Sequence, residues 1–113
     1  MTAMEQAAEP AMARADMEVR AREVASLLKT LSHPARLMLV CTLIEAEYSV
    51  GELERELDIH QPTLSQQLTV LREAGIVETR RDAKQVFYRL SDAKAARLIE
   101  SLYEIFCIPE TVA

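Results

Sequence analysis

The apolar residues of this chain step by three and four along most of its length, and the step changes to two only once, in the stretch that follows Gly75. A period near 3.6 means helices with one buried face, and a period of two means strands. The chain is therefore restricted to a mainly α fold with a small β-hairpin. Two Gly and four Pro in 113 residues are too few turn signals for an all-β sandwich, which needs one every ~8–12 residues. Half of the residues are hydrophobic and 27% are charged, a balance that suits one small globular domain and not a disordered chain.

Residues 1–15 mix Ala, Met, Glu and Pro without a sustained period and read as a flexible N-terminal tail, and residues 16–113 read as a single domain. A first helix from Asp16 sets Val24, Leu27, Leu28 and Leu31 on one face. Ser32, followed by Pro34, stops it and opens a second helix to about Glu45. Leu37, Met38, Leu39, Val40, Cys41, Leu43 and Ile44 cover nearly every side of that helix, so it is expected to be buried all round.

Ser49-Val50-Gly51-Glu52 has the form of a capping box and starts a short helix to Leu57. After the connector Asp58-Ile59-His60, Gln61-Pro62-Thr63 opens another helix with Leu64, Leu68 and Leu71 inward and Gly75 as its C-terminal stop. Two helices joined by so short a turn make a helix-turn-helix. Ile76 to Arg81 and Gln85 to Leu90 then form a hairpin around a three-residue tip, Asp82-Ala83-Lys84. Ser91 caps a last helix with Ala95, Leu98, Ile99, Leu102, Ile105 and Phe106 along one face.

The formal charge of −5 argues at first against a nucleic-acid partner, because DNA affinity comes from Lys and Arg neutralising phosphates. The sign is divided along the chain. Residues 60–90 hold 5 basic and 3 acidic side chains and are the only net-positive stretch, with Arg80, Arg81, Lys84 and Arg89 on or beside the hairpin. Around the helix that starts at Thr63, the residues Gln61, Thr63, Ser65, Gln66, Gln67, Thr69 and Arg72 occupy the faces left by the leucines. Amides, hydroxyls and an arginine at a helix N-terminus suit a major groove, and the hairpin cations Arg80, Arg81 and Lys84 suit the flanking phosphates. A solvated helix face and a charged strand tip that resists aggregation are the plain alternatives.

Common enzyme signatures are absent: the chain has no C-x-x-C, H-E-x-x-H, G-x-S-x-G or glycine-rich phosphate loop. It is not expected to be an enzyme. It also lacks a window of ~18 apolar residues that could cross a membrane and a secretory start, so a cytoplasmic location with no membrane partner is expected. Its two cysteines are too few for a disulfide framework.

Leu31-Ser32-His33-Pro34-Ala35-Arg36-Leu37, Gln61-Pro62-Thr63-Leu64-Ser65-Gln66-Gln67-Leu68, Leu71-Arg72-Glu73-Ala74-Gly75-Ile76-Val77 and Phe87-Tyr88-Arg89-Leu90, in this order and spacing, resemble the ArsR family of small winged-helix bacterial repressors. The resemblance covers about Leu31 to Leu90. It implies a winged helix-turn-helix, a homodimer built through the first and last helices, and a palindromic operator in double-stranded DNA that is released when an inducer is sensed. The one-sided apolar stripes of the two terminal helices fit a two-fold interface, or they complete the core of the single chain.

Metal-sensing members of that family carry a Cys-Val-Cys pair or a set of Asp and His residues that this chain lacks: Ser49-Val50-Gly51 stands at the first position and the last helix has no His. His33 at a helix start and His60 in the turn read as structural or solvated residues, and a metal needs three or four ligands. No metal and no cofactor are expected.

Cys41 and Cys107 remain, and either alone reads as a small buried hydrophobe. As a pair, in Met38-Leu39-Val40-Cys41-Thr42-Leu43 and Leu102-Tyr103-Glu104-Ile105-Phe106-Cys107, they resemble the segments of the persulfide- and sulfide-responsive branch that includes the biofilm growth-associated repressors. That resemblance implies a redox sensor in which reactive sulfur species bridge Cys41 and Cys107 by a disulfide or polysulfide and so release the operator. The alternatives are a repressor of the same fold that senses peroxide through sulfenic acid, a small thiol oxidoreductase, and a protein-interaction module that does not bind DNA.

Overall fold

The computed structural model describes residues 12–107. Helix α1 (Arg14–Leu31) leads into α2 (Pro34–Glu45), then strand β1 (Tyr48–Ser49), α3 (Val50–Leu57), α4 (Thr63–Glu73), strands β2 (Val77–Asp82) and β3 (Gln85–Leu90), and α5 (Ala93–Phe106). It is a winged helix-turn-helix, mostly helical with a three-stranded antiparallel sheet in the order β1-β3-β2. The expected tail falls mostly outside the described residues, and α1 begins at Arg14, two residues earlier than the periodicity indicated.

The caps explain why the elements start and stop where they do. His33, not Ser32, is the N-cap of α2: its Nδ1 accepts from the Ala35 amide at 3.1 Å. Ser32 instead closes α1, its hydroxyl donating to the Lys29 carbonyl at 2.9 Å. The capping box at Ser49 forms as expected, with the Glu52 amide donating to Ser49 Oγ at 3.2 Å and the Ser49 amide to Glu52 Oε1 at 2.8 Å. Gly75 ends α4 at φ 77°, and the bonds Ile76 N–H to Leu71 O and Gly75 N–H to Arg72 O complete a Schellman motif that only a residue tolerant of left-handed φ accepts readily.

Two expectations are corrected. The hairpin closes through a two-residue turn, because Asp82 pairs with Gln85 and leaves only Ala83 and Lys84 at the tip, with Ala83 at φ 57°. A strand at Tyr48–Ser49, too short to show a period, pairs with Tyr88 and Phe87 on the outer edge of β3.

The core is one cluster. Leu39, Val40, Leu53, Leu64, Leu68, Leu71, Ile76 and Ile99 are fully buried, and each such side chain removed from water stabilises the fold by about 1.5–3 kcal/mol. Helix α2 runs through the middle of this cluster but is not buried all round, because Met38 is exposed and Cys41 and Ile44 are only partly covered. Its uncovered side and the outer faces of α1 and α5 expose Val24, Leu28, Tyr103, Ile105 and Phe106. The radius of gyration, 17.5 Å, exceeds the roughly 13 Å of a compact chain of about this length.

Candidate nucleic-acid interface and thiol site

Helix α4 is fastened to the core by Leu64, Leu68 and Leu71, all fully buried, and this stripe determines which side chains face out. Thr63, Ser65, Gln66, Thr69 and Arg72 are exposed. Gln61, just before the helix, is exposed and accepts from the Ser65 amide at 3.1 Å and from the Ser65 hydroxyl. These two polar groups are thereby set side by side at the N-terminal end of α4. Gln67 is placed differently: it is half-buried, and its Oε1 accepts from Arg36 at 2.7 Å.

The wing charges are less available than a count of residues suggests. Arg80 donates two hydrogen bonds to the Glu47 carboxylate, both at 2.8 Å, and lies 4.6 Å from the centre of the Phe87 ring, its cross-strand partner. The bonds from Arg80 hold the Glu47 carboxyl below its ordinary value. Arg89 pairs with Glu78, directly opposite on β2. Arg81 and Lys84 are exposed and have no ion-pair partner among the described residues, and the same is true of Arg72 on α4. The exposed cations without an ion-pair partner are thus Arg72, Arg81 and Lys84, while Arg80 and Arg89 are paired with Glu47 and Glu78. Glu47 and Glu78 were not singled out in the sequence, although charge alternation along the two strands was there to find.

The two thiols lie on α2 and at the end of α5. Cys41 is partly buried on α2 and lines a cleft of about 290 Å³ against α5, with Ile44, Ile99 and Tyr103 as apolar walls and Glu45, Glu100 and Glu104 around them. Cys107 caps the end of α5 and is exposed. Burial pushes the Cys41 thiol up, and the charge of Cys107 adds to the shift in the same direction. Less thiolate at Cys41 leaves the exposed Cys107 as the more accessible point of attack for a sulfur electrophile.

His33 serves as a cap, and His60 lies in the turn between α3 and α4 with Nε2 at 2.7 Å from Asp58. Among the described residues no group of three His, Cys, Asp or Glu converges as a metal site. No single described helix is long and apolar enough to cross a membrane.

Residues 33–79 match the family model described as "Bacterial regulatory protein, arsR family". The chain is 70% identical over 104 residues to the biofilm growth-associated repressor of Xylella fastidiosa, covering 92% of this chain and 91% of the relative. It is 77% identical over 94 residues to the protein of the same name from Agrobacterium fabrum, covering 83% and 80%. The crystal structure of the transcriptional repressor BigR from Xylella fastidiosa superposes with a TM-score of 0.80 at 71% identity, over 87% of this chain and all of that one. Reduced HlyU from Vibrio cholerae gives 0.79 at 40% identity, over 82% and 98%. These relatives carry the names of regulators, not of enzymes.

Proposed function

Because this chain belongs to the arsR family of bacterial regulatory proteins, we propose that it is a dimeric transcriptional repressor that reads a palindromic operator in the cytoplasm and leaves it when Cys41 and Cys107 are bridged. The observation that carries the DNA-binding reading is the outward polar face of α4, together with Arg72 on that helix and Arg81 and Lys84 on the wing, exposed and without an ion-pair partner among the described residues. Gln61, Thr63, Ser65, Gln66 and Thr69 meet base edges or the nearest phosphates, and the wing lies along the backbone. Gln67 acts from behind them.

The homodimer reading is supported by the exposed apolar side chains of α1 and α5, which nothing among the described residues covers. A dimer that reads two successive half-sites on one face of a duplex must present its two α4 helices roughly 34–36 Å apart. Repression, rather than activation, is favoured by the names of the relatives at 70% and 77% identity, against the 40% relative named an activator.

For the switch, a persulfide R–S–SH is attacked by the Cys107 thiolate, which takes the outer sulfur and releases the thiol R–SH. The Cys41 thiol then displaces hydrogen sulfide to close a disulfide; where a second persulfide molecule has first transferred its outer sulfur to Cys41, the Cys107 persulfide displaces hydrogen sulfide from Cys41–S–SH and a trisulfide bridges the pair. Either bridge ties the end of α5 to the middle of α2 and shifts the dimer helices that set the operator spacing. The position of Cys41 in the cleft between α2 and α5, with Cys107 exposed at the end of α5, supports this reading. A peroxide sensor would use the same residues through a sulfenic acid. Intact-mass measurement together with an assay of released hydrogen sulfide, after parallel treatment with a persulfide donor and with peroxide, separates the two, because only the persulfide route releases hydrogen sulfide or leaves extra sulfur atoms on the pair.

A further inference from the structure

The carbonyl of Thr30, in the last turn of α1, should accept from the amide four residues later, but that residue is Pro34, which has no N–H. Arg36 supplies the missing donor. Its Nε donates to the Thr30 oxygen at 2.5 Å, and Nη1 of the same guanidinium donates to Gln67 Oε1 at 2.7 Å. One planar group therefore ties together the end of α1, the start of α2 and the middle of α4. Among the described residues, no other side chain of α4 is hydrogen-bonded to another helix.

This tie does something the leucine stripe cannot. Apolar burial is non-directional, so Leu64, Leu68 and Leu71 decide which side of α4 faces the core but set its rotation about its own axis only coarsely. A charge-assisted hydrogen bond at mid-helix has a direction. Turning a helix of ~5–6 Å radius by ~10° moves its surface by about 1 Å, which is enough to spoil a paired hydrogen bond to a base edge.

We infer that Arg36 is a positioning residue for operator reading, setting the rotation of α4 through Gln67 without touching DNA. Gln67 belongs to the scaffold of the reading face and not to its base-contacting set. The inference rests on the proposed DNA-reading role of α4 and is independent of the thiol switch.

The test uses the reduced full-length protein and a duplex that it selects from a random-sequence pool, with an unrelated duplex as control. Affinities are measured over a range of salt for wild type, Arg36→Gln, Arg36→Lys, Gln67→Leu and the double variant Arg36→Gln/Gln67→Leu. Each single variant is expected to bind the selected duplex about tenfold more weakly, with unchanged affinity for the control and an unchanged salt slope. Arg36→Lys is expected to behave like Arg36→Gln, since an ammonium cannot span both acceptors as the fork does. The double variant is expected to lose no more than a single one.

Unchanged affinity of Arg36→Gln for the selected duplex overturns the inference. So does a salt slope lower by about one with equal losses on both duplexes, which would make Arg36 a phosphate ligand, and so does an additive loss in the double variant. If circular dichroism shows that Arg36→Gln does not fold, Gln67→Leu alone decides, and wild-type binding by that variant overturns the inference. Failure of the wild-type protein to select any duplex is a different outcome, refuting the DNA-reading role of α4 itself.

Discussion

Helices α4 and α5 are both amphipathic, with apolar residues at the same three-and-four spacing, yet they end in opposite situations. The stripe of α4 is wholly inside: Leu64, Leu68 and Leu71 are at most 1% exposed. That of α5 is covered only at its start, by Ala95 and Ile99, and then runs out of the molecule, leaving Tyr103, Ile105 and Phe106 exposed at 48%, 69% and 79%. The reading helix is held by its own chain, and the second half of the thiol-bearing helix is not. The division suits the proposed function, in which α4 docks on DNA from a firmly packed seat while α5 responds and is covered by a second copy of the chain.

Breaking the first half of that comparison should have the largest effect. Leu68→Ala opens a cavity in the core and is expected to cost about 2–5 kcal/mol of stability, read as a lower denaturation midpoint. Phe106→Ser should do the reverse. Phe106 is 79% exposed and buries little against the described residues, so stability extrapolated to low protein concentration stays near wild type, while the dimer weakens by about 30-fold in sedimentation equilibrium, the scale of losing one well-packed anchor of an interface. A monomeric wild type would remove the proposed interface.

Smaller changes sharpen the account at the head. Ser49→Ala removes the side-chain half of the capping box at α3 and should cost about 1 kcal/mol, measured by chemical denaturation. Glu47→Gln releases Arg80 from its carboxylate and should raise the salt slope of DNA binding by no more than about one. Acid should do the same: Glu47 is held below its ordinary value, so its tie to Arg80 persists above that value and is lost as pH falls through the lowered one. For Cys41 the sign is opposite. Its raised value means that alkylation of this thiol at fixed pH should be slow, and Cys107→Ser should speed it slightly by removing the neighbouring charge, while the part due to burial remains.

Much of this arrangement is legible in the chain, because it depends on local rules. The capping box at Ser49, the glycine stop at Gly75 and the leucine stripe of α4 all follow from spacings of a few residues. The hairpin was legible, but its register was not: counting Asp82 into the tip shifts every pair by one and hides Glu78 opposite Arg89. Strand β1 exists only because β3 has a vacant edge, which two residues cannot announce.

The same limit governs the site. That Gln67 turns inward depends on Arg36, thirty-one positions away, and that Arg80 is spent on Glu47 depends on where the wing folds back. Whether the stripes of α1 and α5 complete a core or await a partner could not be read from periodicity, since a helix that packs within a chain and one that packs against a second copy have the same pattern.

The most direct test of the central claim is an operator titration of the reduced protein before and after a persulfide donor, for wild type, Cys41→Ser and Cys107→Ser. The expected result is that the wild type loses at least about tenfold in affinity, recovers it with a thiol reductant, and that neither variant responds. Unchanged wild-type affinity, or an equal loss in both variants, would contradict a switch built on these two thiols.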